Sequence, residues 1–206
     1  MADDRHSHAE DAPLLSDPDE IARREAENGL RQFNLALEMI RASVKDKERQ
    51  FRLRAGPILQ LHKAALDGLQ QIRAMMSSSR KAPMGETLGF ELVAIDRGHA
   101  VFEGTPDRKV YNPLGSVHGG YAATLLDSAC GIAVHSQLDA GRGHSTLELK
   151  VSYLHGLSDA SGTVRAVGRV TSMGRRVAFA EATLHDGAGR LCATATSTLL
   201  LFDLEH

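Results

Sequence analysis

The sequence predicts an α+β fold in which antiparallel hairpins surround one buried helix. Three observations carry that prediction. Residues 118–137 are rich in Ala and Leu, with apolar residues almost all round, as in a helix wrapped by protein. Two strand-like runs precede that stretch and four follow it. Gly-containing turns, Asp96-Arg97-Gly98 and Asp186-Gly187-Ala188-Gly189 among them, separate neighbouring runs at hairpin spacing. The order ββ-α-ββββ leaves the helix as the natural centre of a folded sheet.

In chain order, residues 1–15 are polar. A helix start follows, with Asp17 as N-cap, Pro18 at the first helical position and Glu20 three residues past the cap. Leu30, Phe33, Leu37, Ile40 and Val44 then step by three and four, one apolar stripe on a helix. Gly56-Pro57 breaks it. Ile58, Leu61, Ala65, Leu69, Ile72 and Met76 form a second stripe, and Ser77 to Pro83 reads as a linker. The strand runs are 88–95, 99–104, 147–153, 163–172, 176–185 and 190–202. In the third, Leu147, Leu149, Val151 and Tyr153 alternate with polar residues. These readings divide the chain into an extension over residues 1–80, a main domain over 81–203 and a possible cloning-tag remnant at 204–206.

Composition narrows the function. The chain has 206 residues, a net charge of −2 and no Trp, with aromatics at 4%, so it lacks a basic footprint or stacking platform for nucleic acid. No apolar run approaches the ~20 residues that span a bilayer. The polar N-terminus does not read as a secretory signal, so a cytoplasmic location is expected. Cys130 and Cys192 form neither a disulfide framework nor a metal set, and no His/Cys spacing suggests zinc, so no metal is expected. His6 and His8 sit in the polar tail. There is no Gly-x-Ser-x-Gly elbow and no Gly-x-Gly-x-x-Gly after a strand, so no redox cofactor is expected either.

One segment carries chemistry: Asn112, then His118, Gly119 and Gly120 at the predicted helix start, then Asp127. A helix N-terminus offers free N–H donors and a positive dipole end. The backbone N–H groups of Gly119 and Gly120 would suit a carbonyl oxygen that becomes negative. Asp127 lies two turns along, flanked by Leu125, Leu126, Ala129 and Cys130, where an ionised carboxylate is expensive unless it is used.

This segment within ββ-α-ββββ resembles the hotdog-fold acyl-CoA thioesterases, and most of all their PaaI-like (phenylacetate-degradation type) branch. The resemblance covers roughly residues 80–203. It implies a sheet curled round the helix, a homodimer or dimer of dimers with composite sites, acyl-CoA as substrate, and no cofactor beyond coenzyme A as part of that substrate. Gly119 matches the glycine whose N–H holds the thioester carbonyl. Asp127 matches the catalytic carboxylate, as nucleophile or as base on water, and faces the carbonyl held by the other subunit. Asn112 matches an amide that borders the reaction site, although Asn before Pro113 is also an ordinary turn residue. His118 matches a residue that steadies the loop and helix start. Relatives place a water-holding hydroxyl on the strand after the helix; counting forward from Asp127 suggests Ser145, and counting back from Tyr153 suggests Thr146, the preferred candidate. Arg175 and Arg176 fall where the family contacts coenzyme A phosphates, or form an ordinary charged hairpin. Another hotdog branch carries threonine four residues after the carboxylate; Gly131 stands there in this chain.

Two other functions fit the fold. A hotdog hydratase or dehydratase would set a His against an acid across the site. A non-catalytic acyl-CoA-binding regulator would use its helical extension on a partner.

Overall fold

The computed structural model describes residues 18–54, 66–78 and 82–204. The readings at His6, His8, Asp17, Gly56-Pro57, residues 58–65 and 79–81 lie outside the described residues. The chain divides into two compact units, Met1–Ser43 and Val44–His206. Helix α1 (Pro18–Arg54) begins at the proline that the sequence set at the first helical position. Leu30, Phe33 and Ile40 of its apolar stripe are exposed. Arg24 and Glu20 pair one turn apart at 2.7 Å; at this exposure such a pair stabilises by a few tenths of a kcal/mol at most.

In the second unit, helix α2 (Gly68–Ser77) opens on a capping box: Asp67 Oδ1 accepts from the Gln70 N–H, and Gln70 Oε1 accepts from the Asp67 N–H. Ile72 is buried, and the Gly68 N–H donates to the Leu138 carbonyl at 2.8 Å. The boundary between units therefore falls well inside the stretch read as one extension. A short helix α3 (Pro83–Leu88) takes the place of the expected first residue of a strand, and Gly89, at φ 70°, ends it.

The strands are β1 (Phe90–Asp96), β2 (His99–Gly104), β3 (Arg142–Tyr153), β4 (Val164–Met173), β5 (Val177–His185) and β6 (Leu191–Asp203). They form one antiparallel sheet in the order β1-β2-β4-β5-β6-β3. Helix α4 (Gly119–His135) lies across it. Leu125, Leu126, Ala129, Cys130, Ala133 and Val134 of α4 are fully buried. Burying a leucine contributes roughly 1.5–3 kcal/mol, so this helix is a principal source of stability. Helix and sheet touch backbone to backbone: a Cβ on Gly168 of β4 would strike the Ala129 carbonyl. At the other end of α4, Ser136 Oγ donates to the Ala133 carbonyl and accepts from the Gly98 N–H, both at 2.7 Å. That ties the helix end to the β1–β2 turn.

One irregularity places the site. The β3–β6 pairing slips between Thr146 and Glu148, leaving Leu147 as the extra residue of a bulge. Unbroken alternation counted back from Tyr153 through Val151, Leu149 and Leu147 reaches Ser145, so the count that gave Thr146 holds only because of the bulge. The bulge changes parity. Leu149 and Val151 pack on the α4 core, whereas Leu147 packs against Leu200, Phe202 and Leu204. Thr146, not Ser145, then faces α4 together with the odd-numbered residues beyond the bulge. Leu204 is buried, and its N–H donates to the Gly141 carbonyl at 2.7 Å. It packs with the domain, although it stood among the possible tag residues.

Candidate active site

The start of α4 is built by a histidine cap. His118 has extended backbone (φ −63°, ψ 134°), and its Nδ1 accepts the Gly120 N–H at 2.8 Å. An Nδ1 that accepts is unprotonated, so the proton of the neutral ring sits on Nε2. The His118 N–H donates to the Val110 carbonyl, and the Tyr121 N–H returns to the His118 carbonyl. Of the two donors read from sequence, Gly120 is thus occupied within its own chain. The Gly119 N–H, at the first helical position, has no acceptor among the described residues and remains for a ligand at this helix start. His118 is thus the capping residue of α4.

Gly119 is a glycine for a reason inside the fold. A Cβ there would lie 3.2–3.3 Å from the Tyr153 ring, and Tyr153 Oη donates to the Gly119 carbonyl at 3.0 Å. The ring covers one side of Gly119, so strand packing accounts for the residue type as well as any approach of substrate.

Thr146 Oγ1 donates to Asp127 Oδ1 at 3.0 Å. Asp127 is half-buried on α4, and the bulge in β3 brings this hydroxyl to it. Ser145 takes the alternate face of the strand, away from that contact. Asp127 and Gly119 do not meet within one chain. Eight residues at 1.5 Å rise separate them by about 12 Å along the helix axis, too far to act on one carbonyl group.

Asn112 is committed to its own loop. Its Oδ1 accepts from the Leu114 and Ser116 N–H groups, at 2.9 and 3.2 Å, and its Nδ2 donates to Ser116 Oγ at 3.0 Å. Asx turns of this kind explain Asn before Pro113 without a ligand. Arg175 and Arg176 are exposed in the β4–β5 connection. That connection joins the start of β5, whereas Leu184 near the end of β5 lies beside Gly119. Within one chain the arginines and the helix start therefore occupy opposite ends of the sheet. The Arg175 carbonyl accepts from Arg142 Nη2, and Arg142 pairs with Asp203 at 3.2 Å.

Both cysteines are free and buried. Burial, and then the charges of Asp127 and Glu181, push the Cys130 thiol up to about 12, so it remains protonated beside the carboxylate. Tyr121 packs in the core against Gly104 and Phe90. Its buried hydroxyl is pushed up to about 12 by burial and then by Asp107. Among the described residues no cluster of three His, Cys, Asp or Glu side chains could hold a metal ion. No helix among them is long and apolar enough to cross a membrane.

Sequence reasoning missed three features. The Tyr153 hydroxyl was counted only as part of an apolar alternation. A cavity of about 270 Å³ lies beside Gly119. A half-buried pair, His135 and His144, stands edge to face with ring centroids 5.4 Å apart. The signal for the pair was available: His135 ends the buried helix and His144 begins the next strand.

A six-stranded antiparallel sheet laid on one buried central helix is the architecture of the hotdog-fold thioesterases. Comparison with known proteins agrees. The thioesterase superfamily profile matches residues 114–193. The structure superimposes on a phenylacetic acid degradation-related protein of Ralstonia eutropha with TM-score 0.57 and 30% identity, covering 62% of this chain and 97% of that one. A Streptococcus mutans protein solved with bound acetyl CoA gives TM-score 0.53 at 25% identity, covering 63% of this chain and 98% of that one. The sequence is 26% identical over 114 residues to the 1,4-dihydroxy-2-naphthoyl-CoA hydrolase of Listeria monocytogenes, covering 55% of this chain and 91% of that protein. The chain belongs to the thioesterase superfamily, and thioester hydrolysis is the chemistry of its class.

Proposed function

We propose that this protein is an acyl-CoA thioesterase whose active site is shared between two copies of the chain. One observation carries the reading: the Gly119 N–H stands free at the start of α4 while His118 caps its neighbour. A carbonyl oxygen seated there gains the hydrogen bond and the helix dipole as it becomes an oxyanion. Asp127, oriented by Thr146, attacks the thioester carbon from the second copy or takes a proton from the attacking water. In either route the C–S bond breaks, coenzyme A leaves as its thiol, and water supplies the oxygen of the acid.

The sheet supports the second copy. Strand β3 is 12 residues long and has a hydrogen-bonded neighbour on one side only, β6. A long open edge invites pairing. Antiparallel pairing of β3 with a second β3 about a two-fold axis would bring the Asp127–Thr146 region of one copy toward Gly119 of the other. It would also bring Arg175 and Arg176 of one copy toward the other's helix start, where coenzyme A phosphates would meet guanidinium groups. The commitment of His118 Nδ1 to the helix start weighs against a hydratase that relies on this histidine.

The test is turnover of an acyl-CoA panel read by free-thiol release. Wild type is expected to hydrolyse at least one thioester, and Asp127→Asn to lower kcat by about 10²–10⁴-fold, the usual contribution of a general base. Unchanged turnover in Asp127→Asn would sink the mechanism; binding of acyl-CoA without turnover would make the protein a binding module.

A further inference from the structure

We infer that the cavity beside Gly119 is the acyl pocket and that it selects uncharged, compact acyl groups of up to about nine heavy atoms, the number its volume holds at roughly 30 Å³ each. The inference deepens the thioesterase reading and rests on it. The cavity measures about 270 Å³ and is lined by Val117, Gly119, Tyr153, Leu157, Leu184 and Cys192, among others. Leu184 and Cys192 are buried almost completely and Leu157 nearly so, which gives the cavity an apolar floor. Its reactive wall is Gly119 itself, whose N–H would hold the carbonyl. An acyl chain on a thioester held there lies within reach of the cavity.

The walls also say what the occupant is not. No Asp, Glu, Lys or Arg lines the space. His155 Nδ1 donates to the Leu191 carbonyl at 2.8 Å, and the Cys192 thiol donates to the Arg190 carbonyl at 3.3 Å. Burial, its largest influence, pushes that thiol up, so it brings no charge. The phosphates of coenzyme A need cationic partners, which these walls lack. A carboxylated acyl group would be desolvated with no counter-charge from this chain's own walls, and the second copy's arginines are taken up by the coenzyme A phosphates on the reading above. A sixteen-carbon chain has nearly twice the heavy atoms that the volume accommodates.

Gly156, also in the wall, provides the probe. A Cβ there meets nothing within 4 Å and its backbone is not left-handed, so Gly156→Leu adds bulk at the cavity without a built-in clash. Wild type is expected to turn over octanoyl-CoA with kcat/KM at least about tenfold above succinyl-CoA, which fills less of the apolar wall and brings a charge, and above palmitoyl-CoA, whose chain does not fit the cavity with its carbonyl on Gly119. Gly156→Leu is expected to lower octanoyl-CoA turnover by about tenfold and to shift the optimum toward shorter chains. The inference is overturned if palmitoyl-CoA is hydrolysed as well as octanoyl-CoA, or if Gly156→Leu lowers every chain length by one factor. If no thioester is hydrolysed at all, the thioesterase reading fails, and the cavity is judged by calorimetric binding of the thioether S-octyl-CoA. Binding that Gly156→Leu weakens about tenfold supports the pocket; no binding, or binding equal in both proteins, overturns it.

Discussion

The two halves of β3 meet the same helix in opposite ways. Near its start the strand is polar and sealed. Thr146 bonds Asp127, and His144 lies edge-on to His135, whose Nε2 hydrogen-bonds Gln71 Oε1 at 3.0 Å across to α2. Near its end the strand is open and largely apolar, with Tyr153 against Gly119 and a cavity alongside. The bulge at Leu147 separates the halves and changes strand parity between them. The carboxylate thus sits in one half and the free N–H in the other, about two turns of helix apart. On the proposed reading a single chain holds both components of the site, too far apart to act on one carbonyl. Antiparallel pairing of two copies about a two-fold axis would bring them together.

The largest effect that sharpens this contrast lies at the open end. Gly119→Pro removes the free N–H at a helix position that accepts proline. His118, already extended, tolerates a following proline. The added ring presses on Tyr153, which is 55% exposed and can shift. Turnover should fall by about 10²–10³-fold, as for loss of an oxyanion donor, with circular dichroism unchanged. Turnover equal to wild type would mean that the N–H at residue 119 holds nothing.

At the sealed end, Thr146→Val keeps the shape and removes the hydroxyl that donates to Asp127. Loss of a hydrogen bond to a charged group costs about 1.5–3 kcal/mol, so kcat should fall by roughly tenfold or more, while Ser145→Ala changes it little. The reverse ranking would show that Ser145 faces the helix and that the bulge has been misplaced.

The third effect bears on stability, not turnover, and concerns the histidine pair. His144 Nδ1 is buried without a hydrogen-bond partner among the described residues. Burial, and then the neighbouring His135, hold its imidazole down at about 3. The unfolded chain, with an ordinary histidine near 6.5, binds that proton more readily. Stability from keeping His144 neutral is therefore complete above about pH 6.5 and is lost as pH falls toward 3. Thermal melts over that window should show Tm falling with acid in wild type and falling less in His144→Phe. Parallel curves would remove His144 from the account.

Much of the fold was legible in sequence because periodicity reports it directly. The buried helix at 118–137 and six strand runs correspond to α4 and β1–β6, with ends displaced by a few residues. Helix α2 opens on the Asp67–Gln70 capping box, a start that the apolar stripe read from Ile58 to Met76 runs across without a mark. The site was legible as residue types but not as connections. That His118 would cap Gly120 depends on a side-chain rotamer, and that Asn112 would close its own loop depends on turn geometry; neither leaves a mark on spacing. The choice between Ser145 and Thr146 turned on a single extra residue in β3, which alternation assumes away. Arg175 and Arg176 were placed near the site by resemblance alone. In one chain they lie at the far end of the sheet, and the proposed pairing with a second copy would return them.

The shared site is tested most directly by mixing two inactive proteins. Asp127→Asn and Gly119→Pro subunits, co-expressed with different tags, form homodimers that each lack one component at both sites. In a mixed dimer, Gly119 of the first subunit and Asp127 of the second complete one site. Random mixing should restore about a quarter of wild-type turnover, since half the dimers are mixed and each carries one of two sites in a two-fold dimer. Purified mixed dimers should show half. If the mixed dimers form and stay as inactive as either parent, Gly119 and Asp127 do not act across two copies, and the central claim is wrong.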